Sequence, residues 1–297
     1  MITIRLRSLF DLGLTLTSGQ TFYWGNFQNG EFVFGKPDEG GFWWGVSHDG
    51  VWALKQEGNK VFLKKGDIDI FYELFGLRDN LEELREKAKK NRDIPLLEAL
   101  EKFKGLRLMK QDPWETLLCF MLSAQNRVEN IAKGVWMLSK EYGEIEDGIP
   151  KFPKPEVLKD ADDEFLQTLP LKYKAQALRI KEVARILYEN PDFWNKLPED
   201  YYQRRKYLTQ FPGVGNKIAD CVLAYGLGDG RAVPLDTHML KVSKNFYGLE
   251  YASLTEKTYN EIGDFYRRRY GNLSALAQLY LYAYSRTPNV LRSKTAL

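Results

Sequence analysis

Lys217 is the residue of this chain best placed by its neighbours to act as a nucleophile. It follows Phe211-Pro-Gly-Val-Gly-Asn216, a stretch in which one helix ends, the chain turns through Gly-x-Gly, and a second helix begins near Asn216. Gly213 and Gly215 leave backbone N–H groups open. The second helix offers its positive end, so the pair can hold one phosphate without reading sequence. A lysine in that first turn breaks the local rule, because the helix dipole there favours Asp or Glu over a cation. A neutral lysine amine attacks an electrophilic carbon such as a sugar C1′ and forms a Schiff base. A solvated lysine that only pairs with phosphate fits the same position, and the local sequence does not choose between the two.

A second chemical group, the carboxylate of Asp236, stands 19 residues further on in Ala232-Val-Pro-Leu-Asp-Thr-His-Met239. That separation lets one helix run out and the chain return. Asp236 could then orient the Lys217 amine and stabilise a cationic sugar beside it. Capping of the helix that starts at Thr237 accounts for the same aspartate. His238 could touch a phosphate or simply sit on the surface. Spacing of four residues puts Lys217 with Cys221, and Gln278 with Tyr282, on shared helix faces. An amide beside an aromatic ring suits a slot for a flat, hydrogen-bonding base. A packed helix would explain Ala277–Ala283 equally.

The elements that must carry these residues fall into two groups. Short aromatic and β-branched runs (Gln20–Trp24, Glu31–Phe34, Phe42–Val46, Gly50–Lys55, Lys60–Lys64) alternate with the turn signals Asn29-Gly30, Asp49-Gly50 and Gly58-Asn59. This pattern predicts a mostly antiparallel sheet. From Leu81 the apolar spacing becomes helical, with one or two connecting helices to Lys104 and a capped start at Asp112-Pro113. Further helices are expected over 128–142, 162–168, 174–188, 198–210, 216–227, 237–246, 255–270 and 273–285. The expected class is α+β: a β-rich N-terminal domain with connecting helices over 1–104, then an α-helical domain over 105–297.

Composition narrows the function classes. The apolar share of 44% supports a sizeable core. The net charge of +3 divides into −1 over residues 1–104 and +4 beyond, which puts any polyanion-binding surface in the helical part. Two cysteines, Cys119 and Cys221, and two histidines, His48 and His238, make neither a convincing metal site nor a disulfide framework. That usage predicts an intracellular protein. No apolar run reaches about 18 residues and no signal-peptide core opens the chain, so no membrane partner is expected.

These residues resemble the helix–hairpin–helix DNA glycosylases whose hairpin is followed by a Gly/Pro-rich loop and an aspartate. More narrowly, they are similar to the 8-oxoguanine DNA glycosylase/AP lyases that carry an N-terminal β domain. The resemblance runs from Leu16-Thr-Ser-Gly-Gln-Thr-Phe-Tyr-Trp24 through Gln111-Asp-Pro-Trp-Glu115 and Ser123-Ala-Gln-Asn126. It is closest in Pro212-Gly-Val-Gly-Asn-Lys-Ile-Ala-Asp-Cys221 and Val233-Pro-Leu-Asp-Thr-His238. By that resemblance Lys217 is the nucleophile and Asp236 its catalytic partner. Gly19 would offer its carbonyl to the N7–H that distinguishes 8-oxoguanine from guanine. Cys221 and Tyr282 would lie against the two faces of the extruded base, and Gln278 would meet its Watson–Crick edge. Gln125 and Tyr173 would enter the gap left in the duplex.

The family pattern is not followed everywhere. Tyr282 stands where the family often has Phe, Gln125-Asn126-Arg127 replaces an asparagine-rich run, and Asn130 and Lys174 replace two arginines that read the opposite cytosine. Strict preference for cytosine therefore does not carry over. The four-cysteine cluster of endonuclease III-like relatives is lacking, so no iron–sulfur centre is expected.

The resemblance implies a bifunctional glycosylase/AP lyase acting as a monomer on duplex DNA containing 8-oxoguanine, in the nucleoid or the nucleus. It needs no cofactor, although the hairpin carbonyls could hold a monovalent cation. The alternatives are a glycosylase for another oxidised or alkylated base and a non-catalytic helix–hairpin–helix DNA-binding module. Lys217 counts against an alkyl-specific enzyme. A binding module would have no use for Asp236 or for the Gln278–Tyr282 slot.

Overall fold

Six strands form one antiparallel sheet: β1 (Ile2–Arg5), β2 (Trp24–Gln28), β3 (Glu31–Phe34), β4 (Trp43–Ser47), β5 (Gly50–Glu57) and β6 (Lys60–Lys65). The spatial order is β1-β6-β5-β4-β2-β3. The computed structural model describes residues 1–288. At the β2–β3 turn, Asn29 and Gly30 take φ of 52° and 76°, the conformation that an Asn-Gly pair supplies cheaply. The β4–β5 turn differs from its sequence signal by one residue. Positive φ falls on His48 (53°) and Asp49 (54°), and Gly50 opens β5 opposite Ser47. The cause is distant in sequence: the Glu115 carboxylate accepts the His48 and Asp49 N–H groups at 3.1 and 3.0 Å.

The segment Gln20–Tyr23, expected as strand, is not one. Gln20 is buried, and its amide donates to Thr15 O (3.2 Å) and Arg107 O (2.8 Å) while its Oε1 accepts from Met109 N (2.8 Å). These bonds stitch the chain across the molecule, so ladder pairing begins only at Trp24. Several elements carried no clear sequence signal, among them β1, which pairs with β6, the short helix Leu12–Leu16 capped by Asp11, and the helix Ile68–Leu74 capped by Asp67, which stands ahead of Leu81, the expected start of helical spacing.

Several of the helices begin at side-chain caps. Asp112 accepts from Trp114 N and Glu115 N at the start of Pro113–Met121. Asp200 trims the expected 198–210 helix to Tyr201–Leu208. Thr255 and Thr258 form a reciprocal capping box on Glu256–Tyr270. Two connecting helices, Leu81–Lys90 and Ile94–Lys102, bring the chain from the sheet to the helical part. One large apolar core joins the helices to Phe22, Tyr23, Val46 and Val51 of the β part, and a smaller one lies under the sheet around Trp24, Trp52 and Phe71. Arg107 closes the junction from within, donating to Leu9 O and Asp79 O (2.9 Å) while 2% exposed. Among the described residues, no helix is long and apolar enough to cross a membrane.

Candidate active site

Lys217 lies in the first turn of the helix Asn216–Tyr225, directly after the hairpin. Gly213 makes the turn with φ of 82°, and a Cβ there would stand 2.8 Å from Arg179 Cδ and 3.0 Å from Gln176 Oε1. The positive φ calls for glycine, and a side chain there would also have to displace those of Arg179 and Gln176. Gly215 takes the N-cap position without a side-chain cap, which leaves N–H groups at the helix start available.

The helix Pro113–Met121 packs on this one and brings Phe120 beneath the lysine. The amine sits 4.8 Å from the centre of the Phe120 ring and donates to Ser123 Oγ at 3.3 Å. The Ser123 hydroxyl spends its own proton on Phe120 O (2.7 Å), so it can only accept from Lys217.

A cavity opens at the lysine, lined by Gly19, Lys217, Cys221, Asp236, Gln278 and Tyr282 together with Ser18, Phe120, Tyr225, Pro234 and Leu279. Five separate stretches of chain meet here. Asp236 is half-buried and caps Thr237–Tyr247, its Oδ1 accepting from His238 N (2.9 Å) and Met239 N (2.8 Å). Capping and a place in the cavity are therefore both true of it. Burial pushes the Cys221 thiol up to about 12, despite the lysine opposing it, so the sulfur is a neutral group near pH 7. Gln278 is 3% exposed, and the buried Tyr225 hydroxyl donates to its Oε1 at 3.3 Å. That bond leaves the amide N–H₂ of Gln278 to face a ligand. Gly19 has φ of 93°, and a Cβ on it would stand 4.0 Å from the Tyr282 ring.

His238 stands beside the cavity with its ring 5.3 Å from that of Tyr282 and Nε2 2.6 Å from Ser285 Oγ. Ser285 donates its one proton to Tyr282 O (2.7 Å), so His238 Nε2–H must be the donor. Burial holds the imidazole below its ordinary range, and the neutral ring offers Nδ1 as a bare acceptor. Contact with a phosphate through that nitrogen requires the ring to be protonated.

Away from the cavity, Gln125 and Tyr173 come together. Gln125 is exposed with φ of 50°, and its Oε1 accepts from Tyr173 OH (2.9 Å) and Lys172 Nζ (2.5 Å). Asn130 bonds Asn126 Oδ1 at 3.1 Å, whereas Lys174 folds back onto Leu169 O at 3.0 Å.

Residues 2–117 match the family described as the N-terminal domain of 8-oxoguanine DNA glycosylase, and residues 118–268 match the HhH-GPD superfamily of base excision DNA repair proteins. The chain belongs to the HhH-GPD base excision repair superfamily. Within it, the chain is 26% identical over 263 residues to a probable N-glycosylase/DNA lyase of Methanothermobacter thermautotrophicus, covering 80% of this chain and 77% of that one. The protein MBOgg1, solved with a low-affinity DNA ligand, superposes with a TM-score of 0.79 at 29% identity over 96% of this chain and 94% of that one. The 8-oxoguanine glycosylase/lyase of Clostridium acetobutylicum, solved on double-stranded DNA with cytosine opposite 8-oxoguanine, gives 0.78 at 25% over 98% and 99%. The chain spans only 52% and 42% of two eukaryotic N-glycosylase/DNA lyases that it matches.

The superfamily hairpin was legible because its signal is local. The cavity residues Phe120 and Tyr225, and the contact of Ser123 with Lys217, were not identified from sequence. Tyr225 stands eight residues after Lys217 on the same helix face, and that spacing could have revealed it. Phe120 looks like any core aromatic, and nothing in its surroundings marks it out.

Proposed function

We propose that this protein is a DNA glycosylase and AP lyase that removes 8-oxoguanine from duplex DNA inside the cell. The cavity carries the reading: a lysine, a carboxylate, a thiol, an amide and an aromatic ring converge on it. The duplex is bent, the damaged purine is extruded into the cavity, and Gln125 and Tyr173 enter the gap. The Gly19 carbonyl accepts from the N7–H that guanine lacks. Gln278, its oxygen occupied by Tyr225, presents amide protons to the Watson–Crick edge. Cys221 and Tyr282 cover the two faces. A neutral thiol does not compete with Lys217 as nucleophile.

The Lys217 amine attacks C1′, the bond from C1′ to the base nitrogen breaks, and the electron pair leaves with the purine, which takes up a proton. The sugar ring then opens: the C1′–O4′ bond breaks, one proton passes from the nitrogen to O4′, and the nitrogen keeps its other proton in the protonated Schiff base. Removal of a C2′ proton then expels the 3′ phosphate and nicks the strand. Asp236 stabilises the positive charge at C1′ in the first step. The N–H groups at Gly213 and Gly215 hold a backbone phosphate, and the hairpin carbonyls offer a seat for a monovalent cation.

Incubation with duplexes bearing one 8-oxoguanine opposite each of the four bases tests this reading. The expected products are the free oxidised base and a strand nicked on its 3′ side. Because Asn130 and Lys174 stand in place of two arginines, rates opposite cytosine and the other bases should agree within about tenfold. Intact duplex, with no base released from any oxidised purine, would contradict the assignment.

A further inference from the structure

Beside the cavity, on the helix Asn216–Tyr225, lies a buried polar cluster that the proposed chemistry does not use. Asp220 is 0% exposed, three residues after Lys217 on the same helix. Its carboxylate accepts from Tyr201 OH at 2.8 Å and from Tyr259 OH at 2.8 Å, with Arg205 3.8 Å away. A buried carboxylate is costly, and only dense hydrogen bonding offsets the desolvation.

Tyr259 distinguishes this cluster from a merely packed one. Its hydroxyl accepts from the backbone N–H of Leu235 at 3.2 Å, and Leu235 immediately precedes Asp236. Val233 O is also near, at 3.3 Å, but a hydroxyl has one proton, and the shorter bond to the carboxylate takes it. A continuous relay therefore runs from Leu235 N–H through Tyr259 O–H to Asp220. It ties the loop that carries the carboxylate to the helix that carries the amine. Tyr201 also bonds Asp220, but no bond joins its hydroxyl to the loop.

We infer that Tyr259 and Asp220 are positioning residues that keep Lys217 and Asp236 in register for attack on C1′. The inference rests on the proposed roles of those two residues. Misplacement of a reacting group by a fraction of an ångström lowers rates strongly while leaving remote binding surfaces intact.

The test compares Tyr259→Phe with Tyr201→Phe by single-turnover excision of 8-oxoguanine, duplex affinity and melting temperature. Both substitutions keep the ring and remove one hydrogen bond to Asp220, but only the first cuts the relay. Tyr259→Phe should slow excision on the order of tenfold to a hundredfold with duplex Kd unchanged within about twofold. Tyr201→Phe should lower the melting temperature comparably and leave the rate near that of the unaltered protein. Equal rates in the two variants, or a Tyr259→Phe rate matching the unaltered protein, would overturn the inference. If Tyr259→Phe does not fold, Asp220→Ala removes the acceptor of the Tyr259 hydroxyl proton, cuts the relay from its other end and is judged by the same criteria. Lys217→Gln run alongside separates the two readings: activity surviving in that variant removes the proposed chemistry itself. Its loss with normal Tyr259→Phe removes only the relay.

Discussion

The side chains at the cavity owe their chemical state to their immediate partners and to burial. The Ser123 hydroxyl, committed to Phe120 O, can only accept from Lys217. The Tyr225 hydroxyl fixes the Gln278 amide by occupying its oxygen. Burial keeps the Cys221 thiol protonated. A consequence concerns Gln278, which in the proposed mechanism meets the base and not the sugar. Gln278→Ala should reduce kcat/KM for 8-oxoguanine excision by about tenfold to a hundredfold, the cost of losing a hydrogen bond to a buried base edge. Nicking at a preformed abasic site, where no base remains to be read, should be unaffected. Equal loss in both assays would place the amide elsewhere in the reaction. Sequence spacing made Lys217, Cys221, Gln278 and Tyr282 visible as face-sharing pairs. It could not show that Tyr225 controls the amide, because that bond spans 53 residues.

At the scale of elements, the fold follows its local signals wherever no distant group intervenes. The Asn29-Gly30 turn and the Asp112, Asp200 and Thr255 caps stand where their residue types place them. The failures have distant causes. Glu115 moves the β4–β5 turn by one residue, and Gln20 draws its segment out of the sheet into bonds with Arg107 and Met109. Neither partner is visible in a window of ten residues. Arg107 belongs to the same class, a buried guanidinium whose donors reach Leu9 O and Asp79 O across the junction of sheet and helices. Arg107→Ala removes those bonds and opens a cavity, and should cost roughly 3 kcal/mol in urea-induced unfolding. An unchanged unfolding midpoint would show that the junction is held without it.

Over the whole molecule, the cavity unites Ser18–Gly19, the Phe120–Ser123 turn, the hairpin helix, the Pro234–Asp236 loop and the C-terminal helix Ser274–Ser285. The β part thus contributes the carbonyl that would read the lesion, and the helical part contributes the chemistry. The two parts share one apolar core, which holds these contributions in fixed relation. It also places Gln125 and Tyr173, bonded to each other at 2.9 Å, on a separate surface suited to filling a vacated duplex position. The central claim remains that Lys217 forms the covalent bond to the sugar. Borohydride reduction during turnover of a duplex containing 8-oxoguanine measures it directly. A protein–DNA adduct should form with the unaltered chain and with Cys221→Ala, and disappear in Lys217→Gln. An adduct that persists without Lys217, or one that never forms while the strand is still nicked, would contradict the account.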